Sequence, residues 1–170
     1  MQRVMIIGQP GSGKSTLARK LGAHTGLPVI HIDKEVHWKP GWIERPSAEK
    51  SALCAEIHAR PQWIFEGGHS RTWPERLARA DTLIWLDLPL RLRLWRVFYR
   101  TCRDYGRSRA DLPENCPERF DPDFWRWIWN TRHTGKESAA RLFQSAPSNK
   151  TKHHLTSRRA VQRFLTSLTG

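Results

Sequence analysis

Short apolar runs alternate along the chain with longer stretches in which apolar residues recur every three or four positions. The runs are rich in Val, Ile and Leu and are continuous, which is typical of strands buried on both faces of a parallel sheet. They predict five strands, at residues 4–7, 27–32, 63–65, 82–88 and 152–155. The stretches between them predict helices, so the order of elements favours an α/β fold with ligands at the carboxyl ends of the strands.

Capping residues and prolines delimit the predicted helices. They begin near Lys14, Ser47, Trp73, Leu90, Pro122 and Arg158. Ser47 and Ser157 are expected to be N-caps. The predicted apolar face of the long helix after residue 89 carries Leu90, Leu94, Val97, Phe98, Thr101 and Tyr105. Residues 34–46 and 106–121 are rich in turn-forming residues and are predicted to be loops.

The composition describes a basic globular protein. Its 170 residues include 29 Lys and Arg against 16 Asp and Glu, a formal net charge of +13, which favours polyanionic partners such as nucleotides, nucleic acid or an anionic membrane surface. No apolar run approaches the roughly 18 residues of a membrane span. The first apolar run is too short for a signal peptide, and three cysteines at unrelated spacings argue against a disulfide framework. We therefore expect a cytoplasmic protein with a single domain over residues 1–170.

Residues 8–15 read G-Q-P-G-S-G-K-S and match the phosphate-binding pattern G-x-x-x-x-G-K-[ST] in full. Glycines let backbone N–H groups converge on an anion, and the helix that follows adds its positive N-terminus. Lys14 is expected to reach the β- and γ-phosphates of a nucleotide, and Ser15 to bind Mg²⁺. The predicted nucleotide-binding residues are Gly8, Pro10, Gly11, Ser12, Gly13, Lys14, Ser15 and Thr16.

Magnesium needs further oxygen ligands, and two acidic residues follow apolar runs at predicted strand ends. Asp33 and Glu66 are both expected at the carboxyl edge of the sheet beside Ser15, so either is a candidate metal ligand. Asp33 has an alternative role as the general base that accepts a proton from an acceptor hydroxyl.

These motifs resemble small P-loop kinases of the adenylate kinase type and, more closely, the bacterial family of DNA topology modulation proteins. The likeness spans nearly the whole chain. Beyond residues 8–15 it is carried by residues 28–33, 38–42, 66–71, 79–82, 86–89, 116–121 and 157–159. One departure is that Glu66-Gly67-Gly68-His69 stands where the family often has Asp-Gly-Asn-Tyr, and the longer Glu changes the metal geometry expected there.

The resemblance implies a three-layer α/β/α P-loop NTPase fold with a five-stranded parallel sheet, ATP and Mg²⁺ as cofactors, and phosphotransfer. It also implies that residues 34–60 bind the phosphoryl acceptor and that about residues 90–135 form a helical lid insertion. Ser157 and Arg158 are then expected near the adenine. The family's name adds contact with DNA as a further expectation.

Arginines recur at spacings of three and four along the long helix and share one of its sides. They are Arg93, Arg96, Arg100, Arg103 and Arg107. Lid arginines of a kinase neutralise charge on the phosphoryl group in transfer. We expect that role from Arg100, Arg103, Arg107 and Arg109, with Arg71 as a clamp on the acceptor side. The alternative for the whole stripe is a solvated basic face.

Tryptophans are unusually frequent, nine in all, and four lie at positions typical of packing, namely Trp63, Trp85, Trp125 and Trp129. Trp38 and Trp42 differ because they flank a Pro-Gly turn after Asp33. There, stacking on a planar or sugar-like acceptor competes with simple loop packing as an interpretation.

The sequence is best explained by a magnesium-dependent ATP kinase that acts on a small molecule or a nucleotide. A nucleic-acid-associated ATPase or DNA-binding protein is the alternative, supported by the net charge and the basic run at residues 150–163. No known nucleic-acid-binding motif accompanies that run. A GTP switch is unsupported, because Lys152 stands where the guanine-reading N-K-x-D pattern needs an acid.

Overall fold

A computed structural model describes residues 1–168, and its centre is a five-stranded parallel sheet. The strands of this sheet are β1 (Arg3–Gly8), β2 (Val29–His31), β5 (Trp63–Glu66), β6 (Thr82–Leu86) and β7 (Thr151–Leu155). Their spatial order is β2–β5–β1–β6–β7, with β1 paired in parallel to β5 and β6. A separate antiparallel hairpin is formed by β3 (Trp38–Lys39) and β4 (Ile43–Glu44). All five predicted strands are confirmed.

Seven α-helices connect or follow the strands within residues 1–168. They are α1 (Lys14–Thr25), α2 (Ser47–Ala59), α3 (Trp73–Arg79), α4 (Leu90–Arg103), α5 (Pro122–Asn130), α6 (Thr134–Ser145) and α7 (Arg158–Thr166). The Ser157 side chain caps α7 by accepting a hydrogen bond from the Ala160 N–H, as predicted. Ser47 is not a cap. It is the first helical residue of α2, because Pro46 already supplies the extended N-cap conformation.

Helices cover both faces of the sheet. On one face, α1 and α7 pack against alternate strand residues such as Val4 and Ile6. On the other face, α2, α3 and α6 pack against Met5 and Ile7. All four of these β1 residues are fully buried, and each contributes about 1.5–3 kcal/mol of burial free energy. This double cover makes the fold three-layered and places the end of β1 at the middle of the sheet's carboxyl edge.

The orientation of α4 differs from the prediction. Val97 and Thr101 are buried as expected, but Phe98 is exposed, and Tyr105 lies beyond the end of the helix and is also exposed. The helix instead buries Arg93. The reason is that arginines of α4 have oxygen partners beneath the helix, as described below, so the arginine side faces inward and an aromatic side faces solvent.

Two further elements escaped prediction. Residues 34–46 are not simply a loop, because a π-helix at Asp33–His37 leads into the hairpin of β3 and β4. Helix α6 follows α5 after a short turn and was not predicted separately. Trp63 and Trp85 are buried as expected, whereas Trp129 is half exposed. Within residues 1–168, every helix is too short or too polar to cross a membrane.

Candidate active site

The loop at residues 8–13 follows β1 and leads directly into α1, so the N-terminus of that helix faces the loop. Gly13 is the N-cap of α1 and has a left-handed conformation, with φ 93°. Gly11 also has a positive φ, 74°, and a Cβ at this position would lie 2.3 Å from the carbonyl oxygen of Arg93. Residue 11 therefore has to be glycine, because α4 lies directly against the loop.

Substitution of Gly11 tests this close approach. Gly11→Ala should lower the free energy of unfolding by about 1–3 kcal/mol more than Gly106→Ala does, because overpacking adds to the backbone strain. Gly106 is the matched control, since it has the same φ of 74° but open space around its Cβ position. Urea denaturation of both variants measures the difference. Equal losses of stability would show that α4 does not pack against the loop.

Lys14 lies at the floor of the site. Its Nζ donates a hydrogen bond to the carbonyl oxygen of Gln9, 3.3 Å away. Burial lowers the pKa of Lys14, and the nearby carboxylates of Glu66 and Asp33 oppose that shift. Lys14 thus lies near both the loop and the two acidic residues predicted from the sequence. The negatively charged phosphates of a bound nucleotide would lie at this position.

Two arginines of α4 hold the loop from above. Arg93 Nη1 donates to the carbonyl oxygen of Pro10 at 3.3 Å, and Arg96 Nη1 donates to that of Ser12 at 3.0 Å. From a third side, Gln9 Nε2 donates to the carbonyl oxygens of Thr131 and Arg132, in the turn between α5 and α6. Both arginines belong to the set that recurs every three or four residues along α4. That spacing does not indicate which of them contact the phosphate-binding loop.

The predicted carboxylates converge at the carboxyl edge of the sheet. Glu66 is buried, and its Oε1 is 2.7 Å from Nδ1 of His31. Asp33 is exposed, although the surrounding protein removes part of its hydration. This partial desolvation and the charge of Glu66 raise the pKa of Asp33, while Lys14 opposes the rise. Asp33 is therefore a stronger proton acceptor than an ordinary aspartate.

Asp111 is a site residue that the sequence did not reveal. It is buried in the segment between α4 and α5 and lies beside Ser15. Burial opposes its ionisation, but the charge of Arg109 and a hydrogen bond from the Ser15 hydroxyl hold the pKa of Asp111 below its usual range. Sequence analysis could not identify Asp111, because it lies 96 residues after Ser15 and no local pattern connects the two.

The four predicted lid arginines fall into two pairs. Arg100 and Arg109 face the site, and the Nε of each is about 3 Å from the same Glu118 oxygen. Arg103 instead pairs with Asp104 at 2.7 Å on the exposed surface, and Arg107 is exposed. The charge of Arg100 acts on Lys14 and that of Arg109 on Asp33, whereas Arg103 and Arg107 stay at the surface.

The segment after Asp33 contacts the segment between α4 and α5. Trp38 and Trp42 pack edge to face with their ring centroids 5.3 Å apart. The ring Nε1 of Trp42 donates to the carbonyl oxygen of Pro117 at 3.2 Å, and the backbone N–H of Trp42 donates to Sγ of Cys116. These contacts join the hairpin to the segment between α4 and α5 and give both tryptophans packing partners within the protein.

Basic residues lie on the predicted acceptor side of the site. Arg71 is exposed near His69, and burial and the positive charges of Lys50, Arg76 and Arg71 lower the pKa of His69. Lys50 itself is buried and donates to Glu44 Oε1 at 2.6 Å. The charge of Lys50 is therefore matched by Glu44, whereas Arg71 adds an exposed positive charge to the predicted acceptor side.

A buried arginine supports the turn that follows β5. Arg76 is fully buried, stacks 3.8 Å from the centre of the Phe65 ring and donates from Nη1 to the Gly67 carbonyl oxygen at 3.2 Å. Burial lowers its pKa to about 10. At neutral pH it therefore keeps its charge behind Glu66 and holds the backbone that carries this residue.

The donor set fits Mg²⁺. The Ser15 hydroxyl and the carboxylates of Asp33, Glu66 and Asp111 are hard oxygen donors, and the Ser15 hydroxyl lies close enough to Asp111 to help lower the pKa of that carboxyl. Among residues 1–168, no cluster of three or more His, Cys, Asp or Glu side chains is arranged to hold a metal ion. Mg²⁺ does not need such a cluster, because it binds through one or two carboxylates and takes its other ligands from water and phosphates.

Ser157 and Arg158 follow β7 on the other side of the loop. Ser157 uses its hydroxyl to cap α7, and Arg158 is exposed. Burial lowers the pKa of Arg96, and the charge of nearby Arg158 adds to this shift. Arg158 therefore lies on the same side of the loop as Arg96, and its contact with adenine stays a prediction.

Comparison with known proteins finds similar chains among kinases. No family model matches the chain. Cytidylate kinase from Pyrobaculum aerophilum is 29% identical over 138 residues, which cover 74% of this chain and 72% of that protein.

Two solved structures share the fold. Shikimate kinase from Acinetobacter baumannii in complex with shikimate superposes with a TM-score of 0.55 at 14% identity, covering 99% of this chain and 91% of that one. Deoxyadenosine kinase from M. mycoides with bound dATP gives 0.51 at 12% identity and covers both chains completely. The chain thus has a kinase-like P-loop fold, while the resemblance to DNA topology modulation proteins stays a prediction.

Proposed function

We propose that this protein is a kinase that transfers the γ-phosphoryl group of ATP to a hydroxyl group of a small molecule or a nucleotide. The observation that carries the proposal is the meeting of Lys14, Asp33 and the two inward arginines, Arg100 and Arg109, at one edge of the sheet. A phosphate-binding loop by itself is also typical of ATPases and of GTP-dependent switch proteins. A carboxylate with a raised pKa beside that loop adds a base for an acceptor hydroxyl.

In the proposed reaction the acceptor oxygen forms a bond to the γ-phosphorus while the bond from that phosphorus to the β–γ bridging oxygen breaks, leaving ADP. Asp33 accepts the proton that the hydroxyl loses. Lys14, Arg100 and Arg109 offset the negative charge on the phosphoryl oxygens, which is where most of the catalysis of phosphoryl transfer arises. The amides at the start of α1 hold the phosphates in line.

Mg²⁺ would be held by the Ser15 hydroxyl together with Asp33, Glu66 or Asp111. When bound, the ion neutralises phosphate charge and orients the triphosphate. Because Oε1 of Glu66 is already engaged by His31, and Asp111 reaches Ser15 directly, Asp111 joins the two carboxylates predicted from the sequence as a candidate ligand.

The acceptor lies, in this proposal, between Asp33 and the hairpin with Trp38 and Trp42. The exposed Arg71 adds a positive charge on this side, which favours an acceptor that carries a phosphate or a carboxylate over a neutral one. The relatives are compatible with this choice, since one is a cytidylate kinase and another is a shikimate kinase in complex with shikimate.

A binding and transfer experiment tests the proposal. ATP with Mg²⁺ at about 100 times its dissociation constant should raise the melting temperature by roughly 5–10 °C. A screen with γ-³²P-ATP should show transfer to one class among nucleoside monophosphates, hydroxy acids, sugars and nucleosides, with anionic acceptors preferred. Loss of ³²P to water alone, with no acceptor labelled, would overturn the kinase assignment.

The same preparation separates the kinase from a nucleic-acid-associated ATPase. For a kinase, single-stranded and duplex DNA should bind weakly near physiological salt and should not stimulate hydrolysis. Tight DNA binding that weakens steeply with salt, together with DNA-stimulated hydrolysis, would favour the alternative instead.

A further inference from the structure

A single buried carboxylate joins the two arginines that face the site. Glu118 Oε1 is 3.0 Å from Nε of Arg100 and 2.9 Å from Nε of Arg109. Glu118 is only 6% exposed. Its other oxygen, Oε2, accepts a hydrogen bond from the Thr101 hydroxyl at 3.5 Å. Both oxygens of this carboxylate are therefore engaged within the lid.

The backbone holds Glu118 in place. Its N–H donates to the carbonyl oxygen of Arg107 at 3.0 Å, and its own carbonyl oxygen accepts from the N–H of Gly106 at 2.9 Å. These bonds tie the segment before α5 back to the segment just after α4. The Glu118 carboxylate is thus a fixed point between two elements, because Arg100 belongs to α4 and Arg109 to the segment that follows it.

The two guanidinium groups would not share this place without an anion between them. Arg100 is largely buried, and burial together with the charge of Arg109 lowers its pKa, while Glu118 opposes the shift. Both groups also act on Asp33: the charge of Arg109 opposes the rise in its pKa, and the charge of Asp33 acts in turn on Arg100. The pair therefore lies next to the position where the acceptor and the γ-phosphoryl group meet.

Pairing through Nε has a consequence for binding. The Glu118 carboxylate lies beside the inner edge of each guanidinium group as an ion pair, although within residues 1–168 neither Nε has a hydrogen-bond partner. Nη2 of Arg109 is 3.6 Å from Asp111 Oδ2, which leaves Nη1 of Arg109 and the Nη atoms of Arg100 to bind phosphate oxygens. Long side chains with many rotamers lose less freedom on binding when they are already held in place. We infer that Glu118 is a positioning residue that sets Arg100 and Arg109 side by side against the γ-phosphoryl group. This inference rests on the proposed function.

The substitution Glu118→Gln tests it, because glutamine keeps the shape of the side chain and removes the charge. We expect kcat for phosphoryl transfer to fall by about tenfold to a hundredfold and KM for ATP to rise by about tenfold, since the displaced arginines would contact the γ-phosphate both in the bound state and in the chemical step. Glu114→Gln is the matched control, as Glu114 is an exposed acid of the same segment. It should leave both constants unchanged.

A binding measurement separates this inference from the proposed function. Calorimetric titration with the non-hydrolysable analogue AMP-PNP and with ADP should show that Glu118→Gln weakens the analogue by about tenfold and leaves ADP unchanged, because only the analogue carries a γ-phosphate. The milder Thr101→Val, which removes the hydroxyl bonded to Oε2, should shift the same ratio in the same direction by a smaller factor. It provides the test if Glu118→Gln does not fold, as judged by circular dichroism.

The outcomes are distinct. An equal loss of affinity for the analogue and for ADP, or an unchanged ratio in a folded variant, would overturn the positioning role of Glu118. A changed ratio in a protein that labels no acceptor would support the inference about the arginines and overturn the kinase assignment alone.

Discussion

Replacement of Lys14 by methionine is expected to lower kcat by about 10²–10³-fold, the usual cost of removing one charged or hydrogen-bonding group from a transition state. The methionine retains much of the aliphatic stem and removes the only part of Lys14 that meets the phosphates. The loss has a second cause, because the ammonium group also lies near Asp33 and Glu66, whose charges act on it. Without that ammonium group, the two carboxylates repel each other and the incoming triphosphate.

The measurement combines steady-state kinetics with thermal shift. The ATP-dependent rise in melting temperature should largely disappear in Lys14→Met. It should persist in Lys20→Met, which removes an exposed lysine from the same helix, α1. If the Lys14 variant keeps the full shift, residues 8–15 do not bind the triphosphate, and the site has been wrongly assigned.

The second large effect is expected from Asp33→Asn, which should lower kcat by about 10²–10⁴-fold, the usual contribution of a general base. Asparagine has nearly the same shape and accepts no proton at neutral pH. Wild-type kcat/KM for the acceptor should fall as the pH decreases through the pKa of Asp33, because the base acts in its charged form. That fall should begin above the ordinary pKa of an aspartate, since partial desolvation and the charge of Glu66 raise it.

The pH profile also distinguishes the two roles considered for Asp33. If Asp33 is the base, the residual activity of Asp33→Asn should lack the acidic limb, and the Mg²⁺ concentration for half-maximal activity should not change. If Asp33 is mainly a metal ligand, the variant should keep the limb and require more Mg²⁺. Glu35→Gln, a substitution in the same π-helix, is the control and should leave the profile unchanged. Unaltered kcat in Asp33→Asn would exclude both roles.

Local patterns predicted the part of the site that belongs to consecutive residues. The loop at residues 8–15, the strand before it and the helix after it all follow from glycine placement and short-range periodicity. Asp33 and Glu66 could be predicted because each ends a buried strand, and the ends of parallel strands meet at one edge of a sheet. The comparison with kinase structures supports the three-layer fold that this alternation of strands and helices predicted.

Prediction from sequence was least complete for α4 and the segment that follows it. Periodicity places the arginines of α4 on one side of the helix and predicts that the apolar side faces the core. The structure buries Arg93 and exposes Phe98, because carbonyl oxygens of the phosphate-binding loop accept hydrogen bonds from the guanidinium groups of Arg93 and Arg96. A helical pattern specifies which residues lie together, but their partner is decided by chain segments distant in sequence.

The sequence by itself determined the sheet, the phosphate-binding loop and the two carboxylates at the strand ends, because those features depend on residue type within short windows. Only the tertiary structure decided that Asp111 reaches Ser15, that Glu118 joins Arg100 to Arg109, and that Arg103 and Arg107 stay at the surface. Such contacts arise when long connections close over the sheet. Their geometry depends on the summed packing of many distant residues, which no local pattern records.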